Sequence, residues 1–121
     1  MNKKTQEEFK KLLNTQLEAL LKEAEQTAGE LQSSQEKEAV PDETDLATIE
    51  RDRNFLLRIR DRERKLIQKI QEALKRLEKN NFGICEGCGG PISMERLRAR
   101  PVTTYCIECK TESEAKEKSL H

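Results

Sequence analysis

Ala39-Val40-Pro41-Asp42-Glu43-Thr44-Asp45 separates two long stretches that each repeat with the period of a helix. Proline lacks a backbone N–H and cannot continue a helix interior. Pro41 is the only proline in the first ninety residues, so one turn is expected here. Asp42 and Thr44 are both acceptable N-caps for the helix that follows.

Upstream of this break, Phe9, Leu13, Leu17, Leu20, Ala24, Ala28 and Leu31 are spaced by threes and fours. That spacing places them on one helical face and predicts a helix from Lys3 to about Glu38. Gly29 weakens it slightly, and Ser33 and Ser34 loosen its last turns. Downstream, Ile49, Leu56, Glu63, Ile70 and Leu77 recur every seventh residue, interleaved with Asp52, Ile59, Leu66 and Ala73. From Leu56 onward Glu63 is the one polar member of this narrow seam, which suits coiled-coil packing. The second helix is expected from about Thr44 to Lys79, with Asn80-Asn81-Phe82-Gly83 ending it at a left-handed glycine. Two helices of about 35 residues make a rod roughly 50 Å long. A single short turn between them makes them antiparallel neighbours, with an intermolecular coiled coil as the alternative.

Composition agrees. Charged residues are 38% of the 121 and aromatics only 3%, too few large apolar groups for one ordinary compact core. The formal net charge of +0 gives no bulk preference for nucleic acid. Residues 1–47 hold 6 basic and 11 acidic groups, and residues 48–79 hold 11 basic and 6 acidic, so the two helices attract if they lie side by side. The N-terminus has no apolar stretch behind it, and no run approaches the length of a membrane helix. A soluble, cytoplasmic protein is expected. In that reducing compartment paired cysteines favour metal over disulfide.

The four cysteines form two Cys-x-x-Cys pairs, Cys85/Cys88 and Cys106/Cys109, with 17 residues between Cys88 and Cys106. Each pair presents two thiolates from a tight turn, and two such turns complete a tetrahedron around one structural zinc ion. Gly87, Gly89 and Gly90 let the backbone fold tightly around the first pair. The second pair lies where a polar terminal helix, expected over Thr111 to Lys118, begins, and a helix N-terminus favours thiolates. With four protein sulfurs no coordination position remains open for catalysis. The expected fold is mainly α. Residues 1–79 form a long antiparallel hairpin with its tip at 41–47, and residues 80–121 form a small four-cysteine zinc segment with a short C-terminal helix.

Several stretches resemble the DksA/TraR family of bacterial transcription factors. Asp42-Glu43-Thr44-Asp45-Leu46-Ala47 fits the family's D-x-x-D-x-A tip. Further matches are Arg58 to Ile67 on the second helix, Gly83 to Gly89, Arg96 to Pro101, and Cys106 to Thr111. The resemblance spans nearly the whole chain and is nearer to the full-length members than to the short TraR-like ones, because both hairpin helices are present. It implies a regulator that binds the rim of the RNA polymerase secondary channel, passes its coiled coil inward and shifts promoter-complex stability. It also implies cooperation with guanosine tetraphosphate at the interface between factor and polymerase.

On their residues alone, Asp42 and Asp45 read as helix-start groups that complement the positive end of the second helix. The resemblance makes Asp42, Asp45 and Ala47 the tip that faces the polymerase active centre. Arg62, Lys69, Arg100 and Lys110 are ordinary solvated cations by themselves. By resemblance they line the alarmone site, where Arg and Lys suit a polyanionic phosphate ligand. Where better-known members have an asparagine three residues before the position of Arg62, this chain has Ile59.

Other functions fit less well. A nucleic-acid-binding zinc ribbon calls for a basic zinc segment with stacking aromatics, yet residues 80–121 carry 6 basic and 6 acidic groups and Tyr105 is nearly alone. Direct sequence-specific DNA binding is therefore not expected. An adaptor for another protein is opposed only by the tip and zinc-segment motifs. An enzyme is not expected, since there is no nucleophile–base pair, phosphate loop or open metal position. The hairpin is expected to act as a monomer, without a membrane.

Overall fold

The structure, a computed structural model, describes the backbone of residues 2–37 and 43–119 and the side chains of 2–34 and 46–118. Among the described residues four helices follow one another: α1 (Lys3–Lys37), α2 (Glu43–Glu78), α3 (Met94–Ala99) and α4 (Ile107–Ser119). The two long helices match the expected spans to within a residue. α1 runs through Gly29 and the serine pair without a break. The turn expected at Pro41 lies mostly outside the described residues.

Each helix end has a local cause. The Asn2 side-chain oxygen accepts from the Thr5 N–H at 2.8 Å and caps α1. At the end of α2, the Asn81 N–H reaches the Arg76 carbonyl at 3.0 Å and the Asn80 N–H reaches Leu77 at 3.3 Å, a Schellman arrangement. The left-handed residue that closes it is Asn80, with φ 59, and not the glycine expected from sequence. Asparagine tolerates this conformation because its short polar side chain hydrogen-bonds locally. Gly83, φ 82, is left-handed too, three residues later, in the turn leading to the cysteines.

The chain divides into two compact units, Met1–Asn14 with Ile70–His121, and Thr15–Lys69. The boundary drawn at residue 79 from motifs differs from this division, because both long helices also pack against the cysteine segment at one end. In the first unit, the start of α1 lies antiparallel to the end of α2, and Gln6 Nε2 donates to Asn80 Oδ1 at 3.2 Å. Phe9, Leu13, Ile70, Ala73, Leu77, Phe82, Ile92 and Leu97 are buried there. Phe9 and Phe82 rings are tilted against each other with centroids 5.2 Å apart. In the second unit the two helices again run antiparallel, and one groove is lined by Gln26, Gly29 and Ser33 of α1 and Ile49, Asp52 and Phe55 of α2.

The heptad of α2 is visible in the burial. Ile70, Ala73, Leu77 and Glu63 are buried, Ile49, Leu56, Ile59 and Leu66 are half-buried, and Asp52 is exposed. On α1, Phe9 and Leu13 are buried as expected, but Ala28 is exposed while Thr27 and Ser34 turn inward. The Thr27 hydroxyl donates to the Glu23 carbonyl at 3.0 Å, which satisfies it without a partner on α2.

Candidate metal centre

Two loops position the cysteines. In the first, the Ile92 N–H donates to the Gly83 carbonyl and the Cys85 N–H to the Gly90 carbonyl, both at 2.8 Å. Ile84 and Pro91 face each other as a short antiparallel bridge. Within this loop the Gly89 N–H returns to the Cys85 carbonyl at 2.9 Å, and Gly89 itself has φ 74. The Glu86 N–H donates to the Thr104 carbonyl at 2.8 Å and ties the first loop to the second.

The second loop is set by a short helix that periodicity did not reveal. Ser93 caps α3 by accepting the Arg96 N–H at 3.3 Å, and Leu97 anchors it at 1% exposure. The Arg96 Nε then donates to the Tyr105 carbonyl at 2.8 Å, next to Cys106. Arg96 thus orients the second cysteine pair, a role that sequence reading missed in an arginine-rich stretch. α4 begins at Ile107, four residues before the expected start, so Cys109 lies in its first turn. The Cys106 carbonyl accepts the Lys110 N–H at 3.0 Å.

The four sulfurs of Cys85, Cys88, Cys106 and Cys109 lie within 4.8 Å of one another. A tetrahedral zinc site with Zn–S of about 2.3 Å places its sulfurs about 3.8 Å apart. Cys88 and Cys106 are 3.9 Å apart, so this donor set fits zinc. Gly87 makes the approach possible: a Cβ there would lie 2.9 Å from the Cys109 sulfur.

Backbone dipoles prepare the sulfurs for a cation. The N–H groups of Cys106 and Gly87 both point at the Cys85 sulfur at 3.3 Å. With the Cys106 N–H as the largest cause, the Cys85 thiol is lowered to about 6. Cys109 is displaced upward, first by its hydrogen bonds to the Cys106 and Cys85 sulfurs. Four adjacent sulfurs cannot all ionise alone, and a divalent cation removes that opposition. Bound there, the metal would cross-link two loops that bury few apolar groups of their own.

Two family models together cover most of the chain. The N-terminal domain of DnaK suppressor protein DksA matches residues 5–77, and the prokaryotic dksA/traR C4-type zinc finger matches residues 80–115. The chain belongs to the DksA/TraR family. A protein named RNA polymerase-binding transcription factor DksA from Haemophilus influenzae is 42% identical over 99% of this chain and 81% of that protein. Its namesake from Escherichia coli is 41% identical over 99% of this chain and 78% of its own. The solved structure of transcription factor DksA2 from Pseudomonas aeruginosa has a TM-score of 0.88 at 40% identity, covering 97% of this chain and 88% of that one. The DksA/TraR zinc finger is of the four-cysteine type, and residues 80–115 contain all four cysteines of this chain. The cofactor is a structural zinc ion.

The remaining expected residues of this DksA-like chain are placed as follows. Asp42 lies outside the described residues, as does the side chain of Asp45, while Ala47 is exposed in the first turns of α2. Arg62 and Lys69 are exposed on α2, about two turns apart, in the Thr15–Lys69 unit. Arg100 and Lys110 are exposed in the other unit, following α3 and in the first turn of α4. Ile59 is half-buried on the seam. No helix among the described residues is long and apolar enough to cross a membrane.

Proposed function

We propose that this protein is a transcription regulator that binds RNA polymerase and is not itself an enzyme. The observation that carries the reading is similarity over 99% of the chain to proteins named for polymerase binding. In this reading the hairpin enters the secondary channel and brings Asp42, Asp45 and Ala47 toward the active centre, where promoter-complex stability is altered. The zinc loops contribute a rigid docking base, because a metal cross-link fixes a small surface without needing a large core.

Guanosine tetraphosphate strengthens the effect from the interface, held by Arg62, Lys69, Arg100 and Lys110. Each is exposed and cationic, the state that charge-assisted bonds to phosphate require. The protein works as a cytoplasmic monomer, in which each long helix has the other as its antiparallel neighbour. Retention of purified RNA polymerase by the immobilised zinc-loaded protein, with and without the alarmone, tests this. Retention is expected in both cases. Failure to retain polymerase under either condition removes the reading.

A further inference from the structure

The two compact units bury different kinds of side chain. Among the described residues, every buried apolar side chain belongs to the unit formed by Met1–Asn14 and Ile70–His121. In the Thr15–Lys69 stem the buried residues are Thr27, Ser34 and Glu63, all polar. The stem's own leucines and isoleucines are half-buried at best, and Phe55 is 57% exposed. Two helices alone cover only a narrow seam, and among the described residues of the stem there is no third element.

An open groove of about 1130 Å³ also lies beside Gly29, Ser33, Ile49 and Phe55. A Cβ added at Gly29 would meet nothing within 4 Å. Within this thin seam Glu63 is only 5% exposed, and its Oε1 has no hydrogen-bond partner among the described residues. A carboxylate oxygen removed from water without a partner opposes closure, whereas an open stem returns it to solvent.

We propose that the stem opens as a cooperative unit of its own while the zinc-bearing unit stays closed, and that buried Glu63 sets how readily it opens. Local opening of this kind follows where buried apolar contact is sparse. The half-buried Leu20, Leu56 and Leu66 then return to solvent together, while Leu13, Ile70, Ala73 and Leu77 stay buried.

Residue-resolved hydrogen exchange on the full-length, zinc-loaded protein tests this. Stem amides around Leu20, Leu56 and Leu66 are expected to exchange at least about 100-fold faster than those of Leu13, Ile70, Ala73 and Leu77. Glu63→Leu is expected to slow the stem amides about tenfold or more and to leave the other set unchanged. If the leucine variant misassembles, Gly29→Ala takes its place for the separate opening of the stem, with an expected slowing of about fivefold in stem amides alone. Glu63→Met then repeats the seam test with an unbranched side chain. One shared exchange rate for both sets overturns separate opening. Stem exchange unaltered when Glu63 is made apolar overturns the part assigned to its carboxylate.

Discussion

The rings of Phe9, near the start of α1, and Phe82, just beyond the end of α2, lie 5.2 Å apart at an interplanar angle of 51°. These two of the chain's three phenylalanines are 1% and 7% exposed, and they join helix to cysteine segment. Truncating a buried phenylalanine costs about 3–5 kcal/mol, so Phe9→Ala is expected to lower the denaturant midpoint of the zinc-loaded protein by that equivalent. A loss below about 1 kcal/mol would show that the ring pair is not an anchor.

Gly87 is a second point of tight fit. Gly87→Ala puts a methyl group 2.9 Å from the Cys109 sulfur and 3.1 Å from its Cβ. The Cys109 loop must shift, and zinc affinity measured against a competing chelator is expected to fall about tenfold or more. Gly89→Ala meets no atom but holds φ 74, so its effect should be a modest general destabilisation with affinity largely kept. Equal affinities for the Gly87→Ala and unsubstituted proteins would contradict the packing described.

Zinc retention should depend on pH with a definite sign. Thiolates are the ligands, so protons compete with the metal. The Cys85 thiol is lowered from 9.0 to about 6, chiefly by the Cys106 N–H. A lowered acid contributes fully above its unfolded value and loses that contribution as pH falls through its folded value. Chelator-driven zinc release is therefore expected to accelerate as pH falls. A release rate that does not rise on acidification would contradict thiolate ligation.

Much of this architecture is legible in the sequence, for physical reasons that differ by element. The long helices repeat one period over many turns, and Pro41 marks the interruption between them. The cysteine spacing is a coordination geometry written in residue numbers. α3 has only six residues, too few to show a period, and its signal is one cap, Ser93. Asn80 ends α2 because asparagine tolerates a positive φ, which composition cannot distinguish from the nearby glycine. Thr27 and Ser34 are buried where small hydroxyl residues fit between two helices, and Thr27 satisfies its own hydroxyl at the Glu23 carbonyl. Arg96 gains its role from a single carbonyl of Tyr105, a tertiary relationship without a local pattern.

The four cations assigned to the alarmone carry a separable expectation. Alanine at Arg62, Lys69, Arg100 or Lys110 should reduce the alarmone's added effect on transcription more than it reduces polymerase binding without alarmone. Loss of one charge-assisted contact is worth about 1.5–3 kcal/mol, so the concentration giving half the alarmone effect should rise about tenfold or more. Parallel loss of binding and response would make these residues docking groups. An unaltered response would leave them as solvated surface charge.

The central claim concerns Asp42 and Asp45, whose carboxylates are held to act on polymerase beyond starting a helix. Asp42→Asn and Asp45→Asn keep size and a side-chain oxygen, and asparagine remains a good N-cap, so stability should change by at most about 1 kcal/mol. The decisive measurement is transcription in vitro from an unstable promoter by purified polymerase with the double asparagine variant, alongside competition with the unsubstituted protein for polymerase. The account predicts a folded, zinc-loaded variant that competes normally and regulates poorly. Normal regulation by that variant would contradict it.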